Sequence, residues 1–214
     1  MNPEIRRTLA EVNTEDWREV PVEYGREILA IRVPPNCDIL SMKQIPILPD
    51  PRAAFEEALS HPIGSPALEE IVRSKGKQPA ELRAAVTVSD ITRPVPYRGD
   101  AGLLRPMLNR LESAGFHRKN IVIVIGNGMH RPSTLDERNE MLGEDILREF
   151  PVIDHDCEDQ ASLTFIGKSD NGGDVFVNSV FYRADLRIAT GLVESHFMAG
   201  LSGGRKSICP GLVD

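Results

Sequence analysis

The 214-residue sequence has no run of about 18 apolar residues, so it offers no membrane-spanning helix. Residues 1–18 are polar and mixed in charge, and they lack the apolar core of a secretory signal peptide. There are three cysteines, Cys37, Cys157 and Cys209. They are odd in number and far apart, which excludes a disulfide framework and a CxxC metal site. A reducing cytoplasm is the expected setting. A basic stripe is also missing. The net charge is −7 and the longest basic cluster is Arg205-Lys206, so a general nucleic-acid binder is excluded. No internal repeat and no low-complexity tract is present.

Hydrophobic residues make up 41% of the chain and charged residues 27%. That composition supports a packed core in one large domain or two small ones. The last residues, Cys209-Pro210-Gly211-Leu212-Val213-Asp214, directly follow the most glycine-rich stretch. Ile208, Leu212 and Val213 read as buried chain. The sequence is therefore expected to be one part of a longer protein.

Hydrophobic spacing predicts a strand over 28–33, ended by Pro34-Pro35, within an otherwise irregular segment over 1–60. Helical spacing follows over 53–59 and 68–72, with Ser65 a candidate N-cap for the second. A β-branched strand is predicted over 84–89. Leu103, Leu104, Met107, Leu108 and Leu111 mark one face of a helix that Gly115 closes, with Pro106 in its first turns. The apolar run 121–125 predicts a strand covered on both faces. Residues 135–150 read as helix, broken near Gly143. Short strands are predicted over 152–153, 163–166, 175–177 and 187–190, and Gly191 begins the outgoing loop of the last. This alternation predicts an α/β fold: an open, mostly parallel sheet with helices on both faces, Rossmann-like.

In such sheets ligands bind beyond the carboxyl ends of the strands. Three polar clusters fall there. The first is Ser89-Asp90-Ile91-Thr92-Arg93-Pro94. Its Arg93 fork suits a carboxylate or phosphate; an internal Asp90–Arg93 pair pinning a turn is the plainer reading of the two residues alone, and their position at a strand end favours function. The second is Gly126-Asn127-Gly128-Met129-His130-Arg131. Histidine is the residue type whose ordinary pKa suits proton transfer near neutrality, which makes His130 a candidate, and the following Ser133, Thr134 and Glu137 predict a capping box. The third is Glu194-Ser195-His196, followed by Ser202-Gly203-Gly204-Arg205-Lys206-Ser207. Arg205 interrupts the Gly-Lys-Ser of a phosphate-binding loop, so an ordinary P-loop is not met. What is left is a glycine-flanked lysine held against a ligand, as a charge or as a covalent attachment point. The group His155-Asp156-Cys157-Glu158-Asp159 reads as a solvated acidic loop, and His61 and His117 as surface or cap residues.

Taken together, Ser89-Asp90-x-Thr92-Arg93-Pro94-Val95-Pro96, Gly128-x-His130-Arg131-Pro132-x-Thr134 and His196-Phe197-x-Ala199-Gly200-x-Ser202-Gly203-Gly204-Arg205-Lys206-Ser207 resemble the lactate racemase family. The likeness covers about residues 84–211. His155-Asp156 also falls where that family often has His-Asp. The resemblance implies a nickel-pincer nucleotide, a pyridinium mononucleotide bearing sulfur groups, attached covalently through Lys206. It implies His130 and His196 as the acid/base pair and places Asp90 and Arg93 at the substrate, Arg93 on its carboxylate. Thr92, Gly203, Gly204 and Ser207 would line the cofactor. The family's nickel-ligating histidine is expected beyond Asp214, so no metal ligand is assigned within the chain. Residues 1–214 would be the N-terminal catalytic and cofactor-tethering domain of a two-domain protein, with 1–60 packed on it.

The implied reaction is racemisation or epimerisation of a 2-hydroxy acid such as lactate. Removing the α-proton is very hard, because a neighbouring carboxylate stabilises a carbanion poorly and imidazole is too weak a base. Hydride transfer to a cofactor avoids that carbanion, and inversion then requires a histidine on each side. The implied partners are the small-molecule acid and the enzymes that build the cofactor, with no nucleic acid and no membrane. The alternative reading is a non-catalytic domain that binds a nucleotide-like or phosphorylated ligand with the same Lys206 loop.

Overall fold

The structure is a computed structural model that describes residues 14–41 and 45–214. Most of the polar stretch 1–18 therefore lies outside the described residues. The chain divides into two compact units, Met1–Ile47 and Leu48–Asp214. The first unit contains an antiparallel hairpin, β1 (Arg18–Tyr24) and β2 (Glu27–Val33), where sequence reading finds only the second strand. The register sets Val20 opposite Ile31 and Val22 opposite Leu29, the cross-strand pairing that holds a hairpin together.

The second unit opens with α1 (Pro51–Ser60) and α2 (Leu68–Ser74). Asp50 caps α1 by accepting from Ala53 N. Ser65 does not cap α2. The N-cap position falls on Ala67, without a side-chain cap, and the Ser65 hydroxyl turns to the Pro66 carbonyl instead.

A four-stranded parallel sheet forms the centre. Its strands are β3 (Ala84–Ser89), β4 (Ile121–Gly126), β5 (Val152–Asp154) and β8 (Leu186–Ala189), in the order β5-β4-β3-β8. Alternate residues serve opposite faces. Ala84, Val86 and Val88 join Ile121, Ile123 and Ile125 in the larger core. That core is capped by α2, by α3 (Leu104–Ser113), and by the pair α4 (Leu135–Leu142) and α5 (Glu144–Glu149). Helix α3 buries Leu104, Met107, Leu108 and Leu111, one helical stripe. Pro106 is its third residue, where its missing N–H costs no intrahelical bond. Gly143, at φ 89°, separates α4 from α5.

Ala85 and Val124 face the other way, against Phe181 of α6 (Ser179–Arg183), Val177 and Leu212. Helices thus cover both faces, as the alternation predicts. The strands over 163–166 and 175–177 do not join the main sheet. They become β6 (Leu163–Lys168) and β7 (Asp174–Asn178), an antiparallel hairpin of their own. The connection between them is too short for the crossover that parallel pairing demands. Val213 bridges to Val177, and Leu212 is fully buried. Among the described residues, no helix is long and apolar enough to cross a membrane.

Candidate functional site

The chain runs β3, β4, β5 in one direction and then returns to place β8 on the other side of β3. This reversal opens a crevice at the carboxyl ends of β3, β4 and β8. All three polar clusters leave from those ends.

After β3, the Asp90 carbonyl accepts from Arg93 N at 3.1 Å, closing a turn. Asp90 Oδ1 accepts from Thr92 N at 3.2 Å and from the Thr92 hydroxyl at 2.5 Å. The loop is tied back by Tyr97, whose hydroxyl accepts from Ser89 N at 2.6 Å. Thr190, just beyond β8, lies 3.3 Å from the same hydroxyl and donates to the Thr87 carbonyl at 2.7 Å. The Ser207 hydroxyl donates to the Thr190 carbonyl at 3.3 Å. Tyr97 therefore links the Asp90 loop to the turn that carries Lys206, and it is 2% exposed. Tyr97→Phe leaves Ser89 N without its acceptor in a partly buried setting. We expect a loss of about 1–3 kcal/mol in a urea unfolding series.

After β4, Gly128 (φ 56°) donates its N–H to the Gly211 carbonyl at 3.0 Å. A Cβ on Gly211 would lie 2.5 Å from the Ser207 carbonyl oxygen, so glycine is what lets the chain fold back closely on the lysine turn, and a Cβ on Gly128 would lie 3.2 Å from the Pro210 carbonyl oxygen. The Asn127 carbonyl accepts from His130 N at 2.9 Å, and its side-chain amide donates to the Arg131 carbonyl at 3.0 Å. Asp154, at the end of β5, accepts from Ser133 N at 3.2 Å and pairs with Arg138. The predicted capping box is present: Thr134 and Glu137 exchange hydrogen bonds at the start of α4. These contacts hold the loop while leaving the His130 side chain 60% exposed.

After β8, a two-residue hairpin pairs β9 (Ser195–His196) with β10 (Gly200–Leu201). Ser202 binds the Glu194 backbone three times: Ser202 N donates to the Glu194 carbonyl at 2.9 Å, the Ser202 hydroxyl donates to the same carbonyl at 3.4 Å, and Glu194 N donates to that hydroxyl at 3.1 Å. Gly203 follows at φ 68°, and a Cβ there would sit 2.9 Å from the Leu192 carbonyl oxygen. Lys206 lies in a one-turn 3₁₀ helix, Gly204–Ser207.

A cleft of about 250 Å³ gathers most of the predicted site. Asp90, Thr92, Arg93, His130, Gly203, Lys206 and Ser207 all line it. Gly204 and His196 do not. His196 stands on the β9–β10 hairpin, with its ring stacked against Phe197.

The two histidines differ in which nitrogen is engaged. Nδ1 of His130 lies 2.5 Å from Asp90 Oδ2. An ionised carboxylate only accepts, so Nδ1 carries the proton and the lone pair falls on Nε2. In His196, Nδ1 accepts from Ala199 N at 3.1 Å and Met198 N at 3.3 Å. Its proton therefore lies on Nε2. In their neutral forms one ring offers an acceptor at Nε2 and the other a donor.

The internal Asp90–Arg93 pair does not form between side chains. Asp90 goes to His130 and Thr92, and Arg93 Nη1 meets Glu194 Oε1 at 2.9 Å. Lys206 is half-buried, and its ammonium has no ion pair or hydrogen bond among the described residues. Thr87 Oγ1 and Asn127 Oδ1, on buried residues that also line the cleft, have no hydrogen-bond partner there either. An unpaired amine in a glycine-walled turn, beside polar atoms awaiting partners, fits a tethered polar ligand. Among the described residues, no group of three or more His, Cys, Asp or Glu side chains could hold a metal ion.

One expectation is corrected. His155 is not part of a solvated loop: it is 1% exposed, with Nε2 3.0 Å from the Val213 carbonyl. Burial lowers its pKa and favours the neutral ring. The C-terminal segment that covers it is close only in three dimensions. His61 is an exposed C-cap residue paired with Glu57, and His117 precedes a 3₁₀ turn, in line with their surface or cap assignment. Tyr97 and Asp154 were missed by sequence reading, and Asn127 was named within its cluster without a role. They carry no spacing signal, because each acts through a partner brought up by the fold.

The profile of the lactate racemase N-terminal domain matches residues 24–214. The chain belongs to the lactate racemase family. Within that family it is 40% identical over 157 residues to the lactate racemase of Lactiplantibacillus plantarum, covering 73% of this chain and 35% of the relative. It is 35% identical over 157 residues to the lactate racemase of Thermoanaerobacterium thermosaccharolyticum, covering 73% and 34%. The solved lactate racemase apoprotein from the latter organism superposes with a TM-score of 0.66 at 30% identity, covering 92% of this chain and 44% of that one. The chain thus spans about a third of the length of the curated relatives it matches.

Proposed function

We propose that this chain is the N-terminal catalytic and cofactor-tethering domain of a longer two-domain racemase or epimerase of a 2-hydroxy acid, lactate or a close analogue. The observation that carries this reading is the convergence of the unpaired Lys206 ammonium with the His130–Asp90 pair and Arg93 on one cleft. Lys206 would hold the nickel-pincer nucleotide covalently, with Thr92, Gly203, Gly204 and Ser207 around it. When bound, that group supplies hydride acceptance and return, which no side chain offers.

The residues of this chain do the rest. Arg93 binds the substrate carboxylate and fixes its orientation. His130 Nε2 accepts the hydroxyl proton, and Asp90 stabilises the imidazolium that results. His196 serves the opposite side: in its protonated form, with Nδ1 released from the Met198 and Ala199 N–H groups, it donates the Nε2 proton to the oxygen there and returns to a neutral ring. The reverse direction starts from a neutral His196 and a protonated His130. The protein is expected to work in the cytoplasm and to depend on the enzymes that build the cofactor.

The test is intact-mass and peptide-mapping analysis of the full-length protein produced together with those enzymes, alongside chiral chromatography of a single lactate enantiomer. A mass adduct on Lys206 together with appearance of the other enantiomer is expected. Unmodified Lys206 with reversible binding of a phosphorylated ligand and no turnover would instead establish the non-catalytic binding domain.

A further inference from the structure

We infer that Glu194 is a resident carboxylate that occupies Arg93 in the free protein and yields it to the carboxylate of the incoming substrate. The inference rests on the reading of Arg93 as the substrate's carboxylate clamp.

The geometry is that of a pair built to exchange. A guanidinium holds a carboxylate best through two parallel N–H···O bonds. Arg93 and Glu194 share one, Nη1 to Oε1 at 2.9 Å. Nε and Nη2 of Arg93 and Oε2 of Glu194 have no hydrogen-bond partner among the described residues. The two side chains are 34% and 27% exposed, so water reaches the contact and screens it. A bidentate ligand carboxylate would make a better partner than the one in place. Arg93 also lines the cleft, so that ligand has a way in.

Glu194 can let go without unfolding anything. Its backbone is fixed by the hydrogen bonds with Ser202, and its carboxylate contributes to none of them. It directly precedes β9, the strand that carries His196. The Arg93 contact therefore tethers the base of the hairpin on which the second acid/base ring stands. His196 does not line the cleft while that contact is made. Substrate binding at Arg93 would release the tether and the ring together.

The competing role for Glu194 is a fixed strut that orients Arg93. The two roles predict opposite effects of Glu194→Gln, which preserves size but removes the competing charge. In full-length protein without cofactor, lactate is titrated by calorimetry, with acetate as a carboxylate lacking the hydroxyl. In parallel, NMR follows the His196 Cε1 proton. For an exchanging carboxylate, Glu194→Gln tightens lactate and acetate binding by about two- to fivefold, the scale of one partly exposed ion pair. The His196 signal of the free variant then already sits toward its ligand-bound position. Unchanged or weaker binding overturns the inference. Arg93→Met separates the two layers of the argument. If that variant loses binding while Glu194→Gln gains none, the clamp stands and the exchange fails. If it binds like wild type, the clamp reading itself fails, and the inference with it.

Discussion

Replacing His130 by Ala in the full-length, cofactor-loaded protein is expected to slow interconversion of the enantiomers by roughly a hundred- to ten-thousand-fold, the usual worth of a general acid/base group. Folding should survive. The side chain is 60% exposed and packs into no core, and Asp90 keeps both Thr92 contacts. For a racemase the equilibrium constant between enantiomers is one, so kcat/KM must fall equally in both directions. His196→Ala should behave alike, since a single inversion uses both rings. The double variant should then be little worse than either single one, because residues that act as a unit are not additive. The pH profile discriminates further: each single variant should lose the limb set by the ring it lacks. Wild-type racemisation by His130→Ala, in protein with the same melting temperature, would remove His130 from the proposed role.

That prediction could be framed from sequence, but its reasoning could not. His130 and His196 are visible as histidines in glycine-rich loops after strands. Their opposite tautomers are not, because those depend on Asp90, 40 positions before His130, and on backbone N–H groups in a tight turn after His196. The central strands were legible because burial on both faces writes an unbroken β-branched run, as over residues 121–125 of β4. The hairpin of β6 and β7 was legible as strands but not as a separate sheet, since pairing partners leave no mark within a strand. His155 was misread because its cover arrives from Val213, 58 residues away. The sequence marked site residues that, His196 and Gly204 aside, line the cleft. The contacts that connect them, Tyr97 above all, arise only when distant strand ends are side by side.

The largest effect belongs to Lys206→Arg. The substitution keeps a positive charge and a long apolar stem at the mouth of the Gly203–Gly204 turn, yet it removes the ability to form a covalent link. A lysine can give up a proton and bond through Nζ, whereas a guanidinium stays protonated at any working pH. The cleft demands nothing structural of Nζ, which has no partner among the described residues, so the fold should tolerate the exchange. Intact mass of Lys206→Arg, produced with the cofactor-building enzymes, should therefore match the bare polypeptide, with racemisation at background. A lysine acting only as a charge predicts the reverse: the arginine variant would still bind its ligand reversibly, within a few-fold of wild type, and neither protein would carry an adduct. An adduct that persists in the arginine variant would place the tether on another residue and leave the unpaired ammonium of Lys206 without the role assigned to it.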